Sequence, residues 1–293
     1  MTQNYKLTIQ YDGSRYYGWE HQKSTDLTIQ GKIETVLARM LAEDRGPEGS
    51  KTTGAPAAKA AAGPATGTPA AKAPAGPGAG ADPAAAGALP VPEVLGAGRT
   101  DAGVHARAMT ASVRLDTERS ADSIQEYLNA YLPEDICVTE LKEASPRFHA
   151  RYSAVGKTYC YSCWTGKLKP VFERKYLTVL PERPDVEKMR QAAAYLIGTH
   201  DFKSFCGNPK MKKSTVRTVD SIEIKEKGPV LHFWFHGDGF LQHMVRILTG
   251  TLLEVGFGKR QPEDMVGILE ALDRTAAGYT APAKGLCLMQ VDY

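Results

Sequence analysis

Apolar and polar positions alternate from Tyr5 to Tyr11, with Leu7 and Ile9 on one side, which is the two-residue period of a strand; Asp12-Gly13 then turns the chain. Thr28 precedes a run in which Ile29, Ile33, Val36, Leu37, Met40 and Leu41 recur at helical spacing, so a helix capped by the Thr28 hydroxyl is expected. VPEVLG reads as a strand. Beyond a Gly-rich turn the period of two returns from about His105 to Leu115, setting Met109, Ala111, Val113 and Leu115 opposite Ala108, Thr110, Ser112 and Arg114. Ile124, Tyr127, Leu128, Tyr131 and Leu132 then form a helical stripe stopped by Pro133, and ICVTEL follows as a strand.

The order β-α-β-β-α-β is therefore predicted for residues 1–145, and 146–293 repeat it. GKTYCYSCW is a strand, and Val186, Met189, Ala193, Leu196 and Ile197 make a helical stripe closed by Gly198. TVRTVDSIEIK and PVLHFWFH are strands joined at Lys227-Gly228. A long amphipathic helix over FLQHMVRILTGTLLEVG, a second over PEDMVGILEALD and a last strand, GLCLMQVDY, complete the chain. The fold class is α+β: two tandem ferredoxin-like halves, each a split β-α-β unit, with sheets set edge to edge and loops of both lining one cleft.

Composition changes this picture at one place. Residues 46–92 are roughly three-quarters Ala, Pro and Gly, with no aromatic residue and only Leu89 and Val91 as larger aliphatics, so burial cannot offset their ordering entropy and a disordered insert in the first half is expected. The whole chain of 293 residues is 42% hydrophobic, enough for a real core, and its net charge of +3 is too small to name an acidic partner. Five cysteines and no charged, apolar leader ahead of MTQNYKLTIQYDG favour neither secretion nor a disulfide framework, so the cytoplasm is the expected compartment. No apolar run approaches the ~20 residues that cross a bilayer, so no membrane partner is expected.

The densest polar motif is GAGRTDAGVH, Gly96 to His105. Its glycines lack dinucleotide-fingerprint spacing, and Val104-His105 stand where a phosphate loop needs Lys-Ser/Thr, which weakens a nucleotide-binding reading. What remains is a carboxylate, Asp101, on a turn of small residues that let a ligand approach, with Arg99 beside it; that suits a nucleophile. Metal chemistry has little support. Cys160 and Cys163, three apart on a strand, point to opposite faces, and His232 and His236 are ~13 Å apart at ~3.3 Å per residue. Arg15, Tyr16, Tyr17 and Trp19 form one basic and aromatic cluster; Arg147, Phe148, His149, Arg151, Tyr152, Lys157 and Tyr159 form another. With Lys210, Lys212 and Lys213 they combine the phosphate-binding cations and stacking rings of an RNA surface. A non-catalytic RNA-binding protein would use the same features.

GRTDAGVHA is highly specific, and with YDGSRYYGW, FHARYSAVGKTYCY, LIGTHDFKSF, FLQHMVRILTGTLLEVG and APAKGLCLMQVDY it makes the chain resemble the bacterial tRNA pseudouridine synthase A family over nearly its whole length outside the insert. The resemblance implies an isomerase that converts uridine to pseudouridine at positions 38 to 40 of the tRNA anticodon stem-loop, working as a homodimer without a cofactor. It also implies roles for residues. Asp101 would be the catalytic aspartate, Tyr159 the ring stacked on the target uracil, Arg246 in HMVR the ionic partner of that site, Leu286 in KGL the apolar residue behind it, and Arg99 a contact near the substrate backbone. This chain departs from the family at Glu20, where a Gln is usual.

Overall fold

A computed structural model describes residues 2–46 and 91–293. The expected insert, apart from Gly46, Val91 and Pro92, lies outside the described residues. The alternation at the start of the chain becomes β1 (Gln3–Tyr11), which buries Tyr5, Leu7, Ile9 and Tyr11 on one face. The Thr28 hydroxyl accepts the Gly31 N–H at 3.2 Å and starts α1 (Ile29–Arg45), whose apolar stripe is buried. The first half continues through β2 (Leu95–Gly96), β3 (His105–Leu115), α2 (Ala121–Tyr131) and β4 (Ile136–Ala144). The second contains β5 (Gly156–Trp164), β6 (Thr178–Val179), α3 (Val186–Ala194), β7 (Gly198–Asp201), β8 (Val216–Lys227), β9 (Val230–Gly237), α4 (Met244–Gly256), α5 (Asp264–Ala271) and β10 (Leu286–Asp292).

Among the described residues all ten strands join one mostly antiparallel sheet in the order β4-β1-β3-β10-β5-β9-β8-β7, with β2 on β3 and β6 on β5. The last strand makes the seam. β10 runs parallel to β3, with Cys287 opposite His105, and antiparallel to β5, with Leu288 opposite Tyr159, so the loop entering β3 comes to lie beside the middle of β5. On β9 the buried residues Leu231, Phe233 and Phe235 alternate with half-exposed His232, Trp234 and His236, the pattern of a sheet with one face covered.

Several sequence expectations are corrected. VPEVLG pairs only at Leu95 and Gly96, because Pro92 has no N–H to donate and the Val94 N–H is taken by the Glu34 carboxylate at 2.9 Å. The third helix ends at Ala194, not Ile197; Gly198 adopts φ 113°, and an unforeseen short strand, β7, begins there. The long helix starts at Met244 rather than Phe240, since His243 sits in the left-handed region. It is also buried nearly all round rather than amphipathic: Thr249 and Thr251 lie in the core and satisfy their hydroxyls on Val245 O and Ile247 O, each at 2.8 Å. Tyr131, expected on a buried stripe, is exposed and carries the Arg39 guanidinium 4.1 Å over its ring.

Candidate active site

The turn between β2 and β3 carries Asp101, and the segment after β1 holds it in place. Tyr11 and Thr100 share a buried hydroxyl hydrogen bond of 2.7 Å. The Trp19 N–H donates to Thr100 O at 3.1 Å and the Gly103 N–H to Tyr16 O at 3.2 Å; within the turn, the Val104 N–H donates to Asp101 O. Gly18, at φ 102°, passes so close that a Cβ would lie 2.6 Å from Thr100 O, which only glycine permits. At the far end the ring of buried His105 takes the Gly13 N–H on Nδ1 at 3.0 Å, lies 3.2 Å from Asp12 Oδ1, and sets Nε2 3.2 Å from Lys175 O. YDGSRYYGW thus acts as the cradle of the Asp101 turn. Tyr16 and Trp19 are core residues and Arg15 pairs with Asp135 at 2.5 Å, so of that cluster Tyr17 is left exposed at the cleft.

Asp101 opens into a cavity of about 580 Å³, and its two oxygens have different partners. Arg246, in the first turn of α4, reaches Oδ2 at 2.9 Å from behind the cavity wall, and its Nε donates to Ala281 O at 2.7 Å. The guanidinium is thereby fixed at both ends. His243 Nε2 lies 3.5 Å from Oδ1. Tyr159 lines the same cavity from β5, its ring met edge-on by Phe240 at 5.3 Å. Burial, and then the Asp101 charge, push its phenol far above the usual tyrosine range, so it stays protonated. Leu286, buried at the start of β10, forms the apolar wall.

Cations surround the mouth. Lys157 lies two residues before Tyr159 on the same strand face and donates to Ala97 O at 2.8 Å, tying β5 to the Asp101 loop. Its ammonium is lowered to about 8, chiefly by burial and then by Arg151 and Arg217, with Asp238 opposing. Arg99 is mostly exposed and pairs with Glu20 at 2.5 Å. Lys210, Lys212 and Lys213 are exposed on a loop whose Asn208 and Met211 line the cavity. Asp101, Arg99, Tyr159, Arg246 and Leu286 are therefore brought together. Sequence reasoning missed His243 and Phe240 as site residues, although His243 stands one turn before Arg246 within FLQHMVR and could have been found by that spacing.

A second hollow, about 540 Å³, opens on the other face of the sheet, where Cys160, Ser162, His232 and Cys287 meet. Ser162 Oγ lies 3.0 Å and Cys160 Sγ 3.8 Å from His232 Nδ1, and burial pushes the Cys160 thiol up to about 11, away from a reactive thiolate. Among the described residues no group of three or more His, Cys, Asp or Glu side chains is placed to hold a metal ion, and no helix is long and apolar enough to cross a membrane.

Comparison with known proteins gives a consistent result. The profile of a family described as tRNA pseudouridine synthase matches residues 7–153 and 192–293. A tRNA pseudouridine synthase A of Bacillus sp. (strain KSM-64) is 38% identical over 290 residues, covering 99% of both chains. Relatives named tRNA pseudouridine synthase A 2 are 36% identical in Bacillus anthracis and 34% identical in Clostridium perfringens, each over 99% of both chains.

Proposed function

We propose that this chain, which belongs to the tRNA pseudouridine synthase family and isomerises uridine in tRNA, acts in the anticodon stem-loop at positions 38 to 40 and uses Asp101 as its catalytic carboxylate. The observation that carries this reading is the Asp101 carboxylate, clamped by Arg246 at 2.9 Å and opening into the cavity that Tyr159 and Leu286 also line. The reaction breaks the N1–C1′ bond, turns the base and joins C5 to C1′. The proton lost from C5 is balanced by one gained at N1, so the overall change needs no oxidant, reductant or energy source.

A uridine stacked in a stem is out of reach and has to be flipped out, at a cost of a few kcal/mol. Stacking on Tyr159 returns about 1–3 kcal/mol of this. Asp101 then stands at the reacting nucleotide as the anionic nucleophile or base, held by Arg246 in a site from which the base excludes water. Leu286 packs behind the ring, while Arg99, with Lys157 and Arg151, meets the backbone phosphates.

On this reading 1–145 and 146–293 are ferredoxin-like halves, the first carrying the Asp101 loop and the second completing the cleft; their contiguous blocks of strands in one sheet support it. The working form is a homodimer in the cytoplasm. The test is to incubate the full chain with unmodified tRNA transcripts and map pseudouridine by nucleotide. Modification at 38 to 40 supports the proposal; modification confined to other positions overturns the site assignment. Tight binding without conversion would return the RNA-binding reading.

A further inference from the structure

Among the described residues, two non-glycines have positive φ: Leu272 at 50° and His243 at 61°. Leu272 ends a helix, an ordinary place for left-handed backbone. His243 starts one, where the backbone is normally extended and a side chain caps the first N–H groups; it is left-handed and makes no capping bond. The left-handed backbone closes the Leu241–Met244 turn, in which the Met244 N–H donates to Leu241 O at 3.0 Å. It accompanies a ring turned into the Asp101 cavity, with Nε2 3.5 Å from Oδ1, while Arg246 holds Oδ2. The other edge of the ring is equally confined. A Cβ on Gly207 would lie 2.4 Å from Nδ1 and 2.8 Å from Cγ, and the Gly207 N–H is bonded to Gln242 O at 2.8 Å. Gly207 is not among the glycines of positive φ, so its lack of a side chain serves the space for the ring and not the backbone.

A carboxylate held at one oxygen can still rotate about its Cβ–Cγ bond; contact at the second oxygen fixes its plane. We infer that His243 is a positioning residue for the isomerisation, its imidazole Nε2 edge set 3.5 Å from Asp101 Oδ1 so that the carboxylate meets the flipped uridine at one angle, with Gly207 as the backstop that keeps the ring there. This rests on Asp101 being the catalytic carboxylate.

The experiment measures kcat and KM for a tRNA transcript, with thermal midpoints, for the full chain carrying His243→Leu, His243→Gly, His243→Gln and Gly207→Ala. Loss of the polar ring edge in Leu or Gly should lower kcat about 10- to 100-fold with KM within about threefold. Gly accepts the left-handed backbone, so the answer survives if Leu does not fold. Gln, whose amide nitrogen reaches the place of Nε2, should recover most of kcat. Gly207→Ala should lower kcat in the parent and have no further effect beside His243→Gly. A kcat within twofold of the parent for His243→Gly, or equal impairment of Gln and Gly, overturns the inference. Running Asp101→Asn alongside separates the failures: full activity there removes the underlying reading, whereas an inactive Asp101→Asn beside a fully active His243→Gly removes only the role of His243.

Discussion

Replacing Arg246 by Met keeps much of the stem volume and removes the guanidinium alone. Two contacts go, the 2.9 Å bond to Asp101 Oδ2 and the 2.7 Å bond to Ala281 O, from a pair whose side chains are 16% and 22% exposed. Breaking a fully buried pair costs about 3–5 kcal/mol. Asp101 still opens into the cavity, where solvent reaches it, so an electrostatic share of about 1–2 kcal/mol is the better figure. The orphaned Ala281 carbonyl adds about 1 kcal/mol. The sum of about 2–3 kcal/mol corresponds to a fall in Tm of about 4–10 °C for a chain of this size. Turnover should fall more steeply, about 100-fold at saturating tRNA, because the carboxylate is freed to swing. Circular dichroism melts and single-turnover pseudouridine formation measure the two effects. A stability cycle with Asp101→Asn isolates the pair, for which about 1–2 kcal/mol of coupling is expected. Additivity within about 0.5 kcal/mol would refute the clamp.

The remaining predictions concern the cavity wall and its rim. Tyr159→Phe should keep turnover within a few-fold, because the buried phenol stays protonated and the proposed stacking needs only the ring, while Tyr159→Leu should lower kcat/KM roughly 5- to 150-fold; equal losses in steady-state assays would contradict this. Lys157 is lowered to about 8, so its positive charge is present below that pH and lost above it. A bound phosphate favours the charged form, so tRNA binding should take up a proton above pH 8 and Kd should rise by up to about tenfold per pH unit there. Lys157→Met should bind more weakly below pH 8 and lack this rise in anisotropy titrations at fixed ionic strength; the same slope in both proteins counts against it. Glu20→Gln removes the negative partner of Arg99 and should tighten tRNA binding about two- to fivefold, and an unchanged or weaker affinity would contradict the competition between Glu20 and RNA.

Local periodicity carried much of this fold. The strands at Tyr5 to Tyr11 and His105 to Leu115, the Thr28 cap and the stripe of α1 all stand where their patterns put them, because each is decided by which side chains face the core. What was not legible depends on partners distant in sequence. Element order leads to sheets set edge to edge, but the strand that joins them, β10 entering between β3 and β5, is a pairing no window of sequence contains. The four residues of β7 exist because β8 is there to pair with them. At the site, Asp101 and Arg99 stood out through the turn motif, and Tyr159, Arg246 and Leu286 through family resemblance. His243 was hidden because its meaning lies in a contact across 142 positions with Asp101.

If the Asp101 carboxylate performs the isomerisation in a site built by Arg246, Tyr159 and Leu286, removing its charge alone should end turnover. Asp101→Asn keeps the size of the side chain and a hydrogen-bonding oxygen for Arg246 while removing the charge. Single-turnover conversion of a tRNA transcript, read beside its Kd, is therefore the direct measurement. No detectable pseudouridine is expected, with Kd within a few-fold of the parent. Turnover near the parent rate would contradict it.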